Sequence, residues 1–233
     1  MARLKSLIIA RIKKTVMWLM AILLGASIIL ALILKFVNPP IWGWEIHRTL
    51  FPIAGYPNHI EHQWVPMKKI SPALPLAVMA SEDQRFPEHW GVDFHALWKV
   101  INTSGPGGPD RGASTITQQT AKNVFLFPSH TYVRKAYELY IALVLELIWG
   151  KERIMEVYLN VIEFGPGIYG VQAAAQHYFG INASQVSRYQ AAQLAVVLPN
   201  PYEIHPVPMT DYVHQRVNWV LGQMRNLGPI SLE

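Results

Sequence analysis

Cysteine is absent from the 233 residues, and that absence excludes thiol nucleophiles, Cys-ligated zinc and disulfide staples together. It agrees with life in an oxidising compartment. Internal repeats and low-complexity tracts are also missing, so neither a solenoid nor a disordered linker protein is expected. Alternation of apolar and polar residues with period two hardly occurs over a useful length, which argues against a β-rich fold. A true basic excess is lacking as well. The formal charge is +5 and the pI near 9.4, but Arg3, Lys5, Arg11, Lys13 and Lys14 account for all of it. With those five set aside, the remaining Lys and Arg balance the 15 Asp and Glu. The high pI is therefore a topology signal, and no nucleic-acid partner is expected.

What the chain does have is lipid-like sequence. Apolar residues make up 51%, and Val16 to Leu34 is an apolar stretch with Ser27 as its only clearly polar residue. About 20 such residues cross a bilayer core. The five basic residues precede the stretch and only Lys35 follows closely, so the positive-inside rule leaves the N-terminus in the cytoplasm and the rest outside. A cleaved signal peptide is the rival reading. Its apolar region would be shorter and end in an Ala-x-Ala-like site, which Leu34-Lys35-Phe36-Val37-Asn38 does not offer. Trp42 and Trp44 stand where an interfacial aromatic belt is expected.

Pro39-Pro40 ends the anchor, and residues 38–70 read as irregular, with scattered Pro and Gly. Beyond 72 the pattern is helical. Pro75 suits the first turn of a helix running to about Asp83, and Asp93 caps a short helix over 94–102. Residues 103–112 form a Gly/Pro-rich loop. Ser114 is expected to cap a helix through about Val124, and Ser129 to precede a long one through Trp149, which Gly150 breaks before a helix over 151–160. Gly165-Pro166-Gly167 makes a turn, and Gly180 stops the Ala-rich segment 168–179. Ser187 and Gln190 form a capping box for 188–198, and Thr210 opens a last helix with the stripe Val213, Val217, Val220, Leu221, Met224 and Leu227. The expected organisation is a basic segment over 1–14, an anchor over 15–37, a membrane-proximal segment over 38–70 and a mainly α domain over 71–228.

Four constellations could carry chemistry. Glu82 closes a helix that is apolar all round, where the helix dipole and desolvation both disfavour a carboxylate. It is either a general base or an acidic helix end in solvent. In 112–123, helical spacing lines up Ser114, Gln118 and Lys122, with Thr115 and Gln119 beside them. That face offers donors and a cation but no acid, as phosphate and sugar hydroxyls require; a solvated face is the plain alternative. Arg134 and Glu138 stand at i and i+4, either as a surface pair or as the lining of a site at the start of a buried helix. Lys151 to Asn160 carries the core stripe Ile154, Val157 and Tyr158 and is mostly structural. Val124 to Pro128 is apolar enough either to dip into a leaflet or to pack in the core.

In this order, the blocks resemble the five motifs of peptidoglycan glycosyltransferases, the family of the glycosyltransferase domain of class A penicillin-binding proteins and of monofunctional biosynthetic transglycosylases. Glu82, Asp83, Phe86, His89 and Gly91 match the first motif. Gly112, Ser114, Thr115, Gln118, Gln119, Lys122 and Asn123 match the second, with Ala113 where a second Gly is common. Arg134, Lys135 and Glu138 match the third; Lys151, Ile154, Tyr158, Leu159 and Asn160 the fourth; Arg216, Val220, Leu221 and Met224 the fifth. Ser-x-x-Lys, Ser-x-Asn and Lys-Thr-Gly do not follow, so the monofunctional type is expected, without transpeptidase activity.

The resemblance implies a lysozyme-like, mainly α glycosyltransferase domain with a smaller membrane-proximal lobe, behind one transmembrane helix. It implies a polymerase that joins an undecaprenyl-pyrophosphate-linked glycan to lipid II. Glu82 would serve as base, and Asp83, Ser114, Thr115, Gln118, Gln119, Lys122, Asn123, Arg134 and Lys135 would bind substrate. Glu138 would hold a divalent metal, Mg or Mn, or orient the cations. Membrane lipid and the division or elongation machinery are the expected partners. A lysozyme-like hydrolase and a non-catalytic membrane scaffold are the rival functions.

Overall fold

The apolar stretch near the N-terminus folds as one helix, α1 (Ala2–Phe36). Its Ile8–Phe36 part has a mean hydropathy of 2.7 and is long and apolar enough to cross a membrane. Ser27 donates its hydroxyl to the Leu24 carbonyl at 2.8 Å, which satisfies the polar group inside the helix. The basic residues expected as a separate segment continue the same helix. A computed structural model describes residues 2–95, 98, 114–129 and 131–232. Within it the chain divides into two units, Met1–Asn38 and Pro39–Glu233. The helix expected over 94–102 lies almost wholly outside the described residues, and the loop over 103–112, with Gly112 and Ala113, lies entirely outside them.

The second unit corrects the reading of residues 38–70. They contain a helix, α2 (Gly43–Leu50), and a short strand, β1 (Glu61–His62). Trp42 is 1% exposed and meets His62 and Tyr169 edge-on, with ring centres 4.8 and 5.3 Å away. It is a core residue rather than part of an interfacial belt, because these rings bury more of the indole than a surface could.

The centre of the unit is α3 (Ala73–Glu82), buried along nearly its whole length. It packs against α8 (Arg188–Val197) and α9 (Asp211–Leu227). In α9, Val213, Val217, Val220 and Met224 form the buried stripe, while Leu221 and Leu227 are partly exposed. Each fully buried side chain of this size is worth about 1.5–3 kcal/mol. The capping box of Ser187 and Gln190 and the Thr210 cap form as expected.

A second group surrounds α4 (Ile116–Phe125), which packs on α2, α5 (Tyr132–Ile148) and α6 (Lys151–Val161). The cap of α4 differs from expectation, being Thr115 and not Ser114, while α5, which Ser129 precedes, is capped by Thr131. Gly150, at φ 76°, joins α5 to α6 in a conformation that disfavours a side chain. A small sheet of order β1-β3-β2 follows, from β2 (Glu163–Gly165) and β3 (Ile168–Tyr169). β1 pairs with β3 in parallel and β2 with β3 antiparallel. Then α7 (Gly170–Phe179) ends at Gly180 in the left-handed conformation.

Candidate active site

Glu82 and Gln119 are brought together by a joint between two helix ends. Asp83 follows Glu82 out of α3, and its carboxylate accepts the Ile116 N–H at the start of α4 at 3.0 Å. His89 Nε2 lies 3.0 Å from both Asp83 oxygens. A carboxylate at a helix N-terminus also meets a favourable dipole. Thr115 caps α4 by accepting from the Gln118 N–H, and the Gln118 side chain returns to the Thr115 N–H at 3.3 Å. The Thr115 hydroxyl donates to the Gly91 carbonyl at 2.6 Å.

With the joint set, the next residue of α4 faces the end of α3. Gln119 donates its amide N–H to Glu82 at 3.0 Å, and its amide oxygen accepts the Tyr158 hydroxyl at 3.0 Å. The Ser81 hydroxyl lies 3.3 Å from the other Glu82 oxygen. Burial, then the charges of Glu82 and Asp83, push the Tyr158 phenol well above its ordinary pKa, so it stays a neutral donor.

The cationic side comes from α4 and α5. Thr131 caps the Arg134 N–H at 3.2 Å, which starts α5 with Arg134 and Lys135 in its first turn. Glu138, one turn on and 2% exposed, takes Arg134 on one oxygen and Lys135 on the other. Lys135 also reaches the Ser114 hydroxyl at 3.2 Å, and Arg134 Nε donates to the Ser129 carbonyl at 2.5 Å. Lys122 joins them from α4. Burial lowers its pKa, Glu138 opposes that shift, and Arg134 and Lys135 add to it. Its ammonium lies 5.0 Å from the Trp44 ring centre.

These groups line one cleft of about 280 Å³: Trp44, Ser114, Gln119, Lys122, Pro128, Ser129, Arg134, Lys135 and Glu138. Arg134 and Lys135 share one carboxylate there and Lys122 lines the same cleft, so it keeps a net positive pole suited to phosphate oxygens. Glu82 adjoins it through Gln119.

Residues 50–225 match the family model described as transglycosylase. The chain is 59% identical to a biosynthetic peptidoglycan transglycosylase of Vibrio parahaemolyticus, across 95% of this chain and 99% of that one. Proteins of the same name match at 47% in Shewanella oneidensis, over 95% and 96% of the two chains, and at 43% in Pseudomonas syringae, over 95% and 92%. This chain belongs to the transglycosylase family.

Within this transglycosylase, the site residues expected from sequence separate into two sets. Ser114, Gln119, Lys122, Arg134, Lys135 and Glu138 come together at the cleft. Asp83, Thr115, Gln118 and Asn123 are buried, and the first three are engaged in the joint between α3 and α4. The cleft face of α4 is therefore Gln119 and Lys122, at i and i+3. The face expected through Ser114, Gln118 and Lys122 does not form, because Ser114 precedes the cap and Gln118 is drawn into it.

Trp44 is a cleft residue that sequence reasoning missed. Gly43 makes its position possible: a Cβ there would lie 2.6 Å from the Leu126 carbonyl oxygen, so α2 meets the end of α4 backbone to side-chain-free backbone. The indole N–H points to buried Glu163 at 3.3 Å, and that carboxylate also accepts from Tyr56 at 3.0 Å and Tyr202 at 2.6 Å. No local sequence signal links Trp44 to a carboxylate so far along the chain.

A divalent metal held by Glu138 needs free carboxylate oxygens and further ligands. Both Glu138 oxygens are engaged by cations, and no group of three His, Cys, Asp or Glu able to hold a metal occurs among the described residues. This donor set does not fit a protein-held divalent ion. In the apolar segment 124–128, at the end of α4 and beyond, Val124 and Leu126 are buried and Phe127 is exposed.

Proposed function

We propose that this chain polymerises the glycan strands of peptidoglycan, transferring an undecaprenyl-pyrophosphate-linked glycan to the 4-hydroxyl of lipid II. The observation that carries the reading is the opposition, around one cleft, of a carboxylate steadied by an amide and a pole of three cations. The name shared by relatives that align along nearly the whole chain supports the same substrate class.

Glu82 accepts the proton of the acceptor 4-hydroxyl as that oxygen bonds to C1 of the donor sugar. Attack from the face opposite the diphosphate inverts C1, and the C1–O bond to the diphosphate breaks. A diphosphate leaves as a stable anion, so it needs charge neutralisation more than a proton. Lys122, Arg134 and Lys135 supply it, with Glu138 holding Arg134 and Lys135 in place. A glycosidase instead pairs two carboxylates across the scissile bond; the group facing Glu82 here is cationic.

The basic residues in the first turns of α1, ahead of its apolar span, support an N-terminus on the cytoplasmic side of the inner membrane, with the catalytic unit on the outer side beside lipid II and membrane lipid. The test is incubation of the detergent-solubilised full-length protein with labelled lipid II, with products resolved on a gel. A ladder of glycan chains is the expected result. Cleavage of finished murein without polymer would instead establish a hydrolase, and neither activity would leave a scaffold.

A further inference from the structure

We propose that Tyr158 is a positioning residue for the base: its hydroxyl fixes the orientation of the Gln119 amide, so that Gln119 presents an N–H, and not its oxygen, to Glu82. The proposal rests on the reading of Glu82 as base. It begins with two linked hydrogen bonds, Tyr158 to the Gln119 oxygen and Gln119 nitrogen to Glu82, each 3.0 Å.

A carboxamide can turn over and exchange its oxygen and nitrogen at little cost. Toward an ionised Glu82, only the nitrogen is attractive; the oxygen would set two acceptors against each other. Toward a protonated Glu82 the reversed amide would also serve, accepting the acid proton. Tyr158 breaks this tie. It is fully buried, and among the described residues its hydroxyl makes its hydrogen bond to Gln119. A reversed amide would offer it N–H groups and leave the phenolic proton without an acceptor in the core, a costly state. The phenol therefore favours the orientation that supports the carboxylate, and its raised pKa keeps it a donor throughout the working pH range.

Lys122 on α4 and Tyr158 on α6 couple to Glu82, and Asp83 couples to the same phenol. Around the end of α3, α8 offers the Ala195 carbonyl to Ser81 and α9 offers the Gln223 amide oxygen to Gln84, both uncharged.

The experiment compares pH–rate profiles of lipid II polymerisation for full-length wild type, Tyr158→Phe, Gln119→Leu and the double variant, with the melting temperature of each. Tyr158→Phe frees the amide to reverse, so Glu82 should hold its proton to higher pH. The acid limb should rise by about 0.5–1 pH unit, the equivalent of one hydrogen bond, and kcat should fall about three- to tenfold with KM nearly unchanged. Gln119→Leu should move the limb in the same direction. In its presence Tyr158→Phe should add almost nothing, because the hydroxyl acts through Gln119.

An unmoved acid limb in folded Tyr158→Phe, or additive effects in the double variant, would overturn the proposal. Should Tyr158→Phe fail to fold, an unmoved limb in Gln119→Leu overturns it equally. Failure of the underlying reading looks different: Glu82→Gln would then remain active, whatever Tyr158→Phe does.

Discussion

The ammonium of Lys122 lies 5.0 Å from the ring centre of Trp44, and the N–H of that indole reaches the buried carboxylate of Glu163 at 3.3 Å. The ring is thus anchored at its edge and carries a cation on its face. Glu163 lies in β2, so the sheet contributes to the cleft through a residue that does not line it.

A cation over an aromatic face is stabilised by about 0.5–2 kcal/mol, which counteracts the burial that lowers the Lys122 pKa. Without the ring, the ammonium should lose its proton at lower pH. Activity that needs the charge is lost as pH rises through this pKa, so Trp44→Leu should move the alkaline limb of the pH–rate profile down by about 0.5–1 unit. Trp44→Phe keeps a π face, loses the bond to Glu163 and should show a smaller shift. Identical alkaline limbs in all three proteins would mean that the ring does not support the charge.

Glu82→Gln keeps size and hydrogen-bonding capacity, and its amide oxygen can still accept from Gln119, so the fold should survive. The base is lost. General-base catalysis contributes about 10²–10⁴-fold, and polymerisation should fall by that much while lipid II binding persists. A rate above about a tenth of wild type falls short of the lower limit and removes Glu82 from that role.

The legibility of these features in the sequence follows their range. Glu82 at the end of α3 could be read locally, because Pro75 and a continuous apolar run define the helix. The α4 cap was misassigned by one residue although the signal was present: Thr115 stands three residues before Gln118, the spacing of a capping box. Strands of two or three residues are too short to show a period. Trp42 and Trp44 were misread because they follow an apolar span, whereas their partners His62, Glu163 and Tyr169 are distant in sequence. Asp83 and Gln118 could be recognised as special but not assigned, since one polar residue can serve a cleft or a helix joint.

Glu138 tests what neutralises the diphosphate. Its carboxylate is buried and shared by Arg134 and Lys135, so Glu138→Gln leaves three cations close together without compensation. Removing one partner of a buried pair costs about 3–5 kcal/mol; with Lys135 40% exposed at its side chain, about 1–3 kcal/mol is expected. Polymerisation should fall by at least tenfold, by the same factor at every magnesium concentration. Recovery with added magnesium would instead assign Glu138 to a metal.

Arg134 acts in two directions at once, with Nε to the Ser129 carbonyl at 2.5 Å and a terminal nitrogen to Glu138. A lysine offers one point charge and cannot reproduce that fork. Arg134→Lys should therefore lose activity, and Arg134→Ala should lose at least about tenfold, or 1.4 kcal/mol of transition-state stabilisation. Near-normal polymerisation by a folded Arg134→Lys protein would reduce Arg134 to a simple surface charge.

Lys122 should reveal the conflict between site and fold. Its pKa is lowered chiefly by burial, so the charged form is less at home in the folded protein than in the unfolded chain. Lys122→Met keeps an unbranched side chain of similar length and removes that charge. Polymerisation should drop at least about tenfold, yet the melting temperature should hold or rise. The pH dependence provides a second check. Between the lowered folded pKa and the unfolded value near 10.4, the unfolded chain binds more protons at this residue, so its contribution to stability increases with pH. Below that window the penalty for the charged form is fully present. The stability advantage of Lys122→Met over wild type should therefore be largest near neutrality and shrink as pH rises toward about 10. A variant that melts well below wild type at pH 7 would mean that Lys122 is held by its surroundings for the sake of the fold, and not kept there for the reaction.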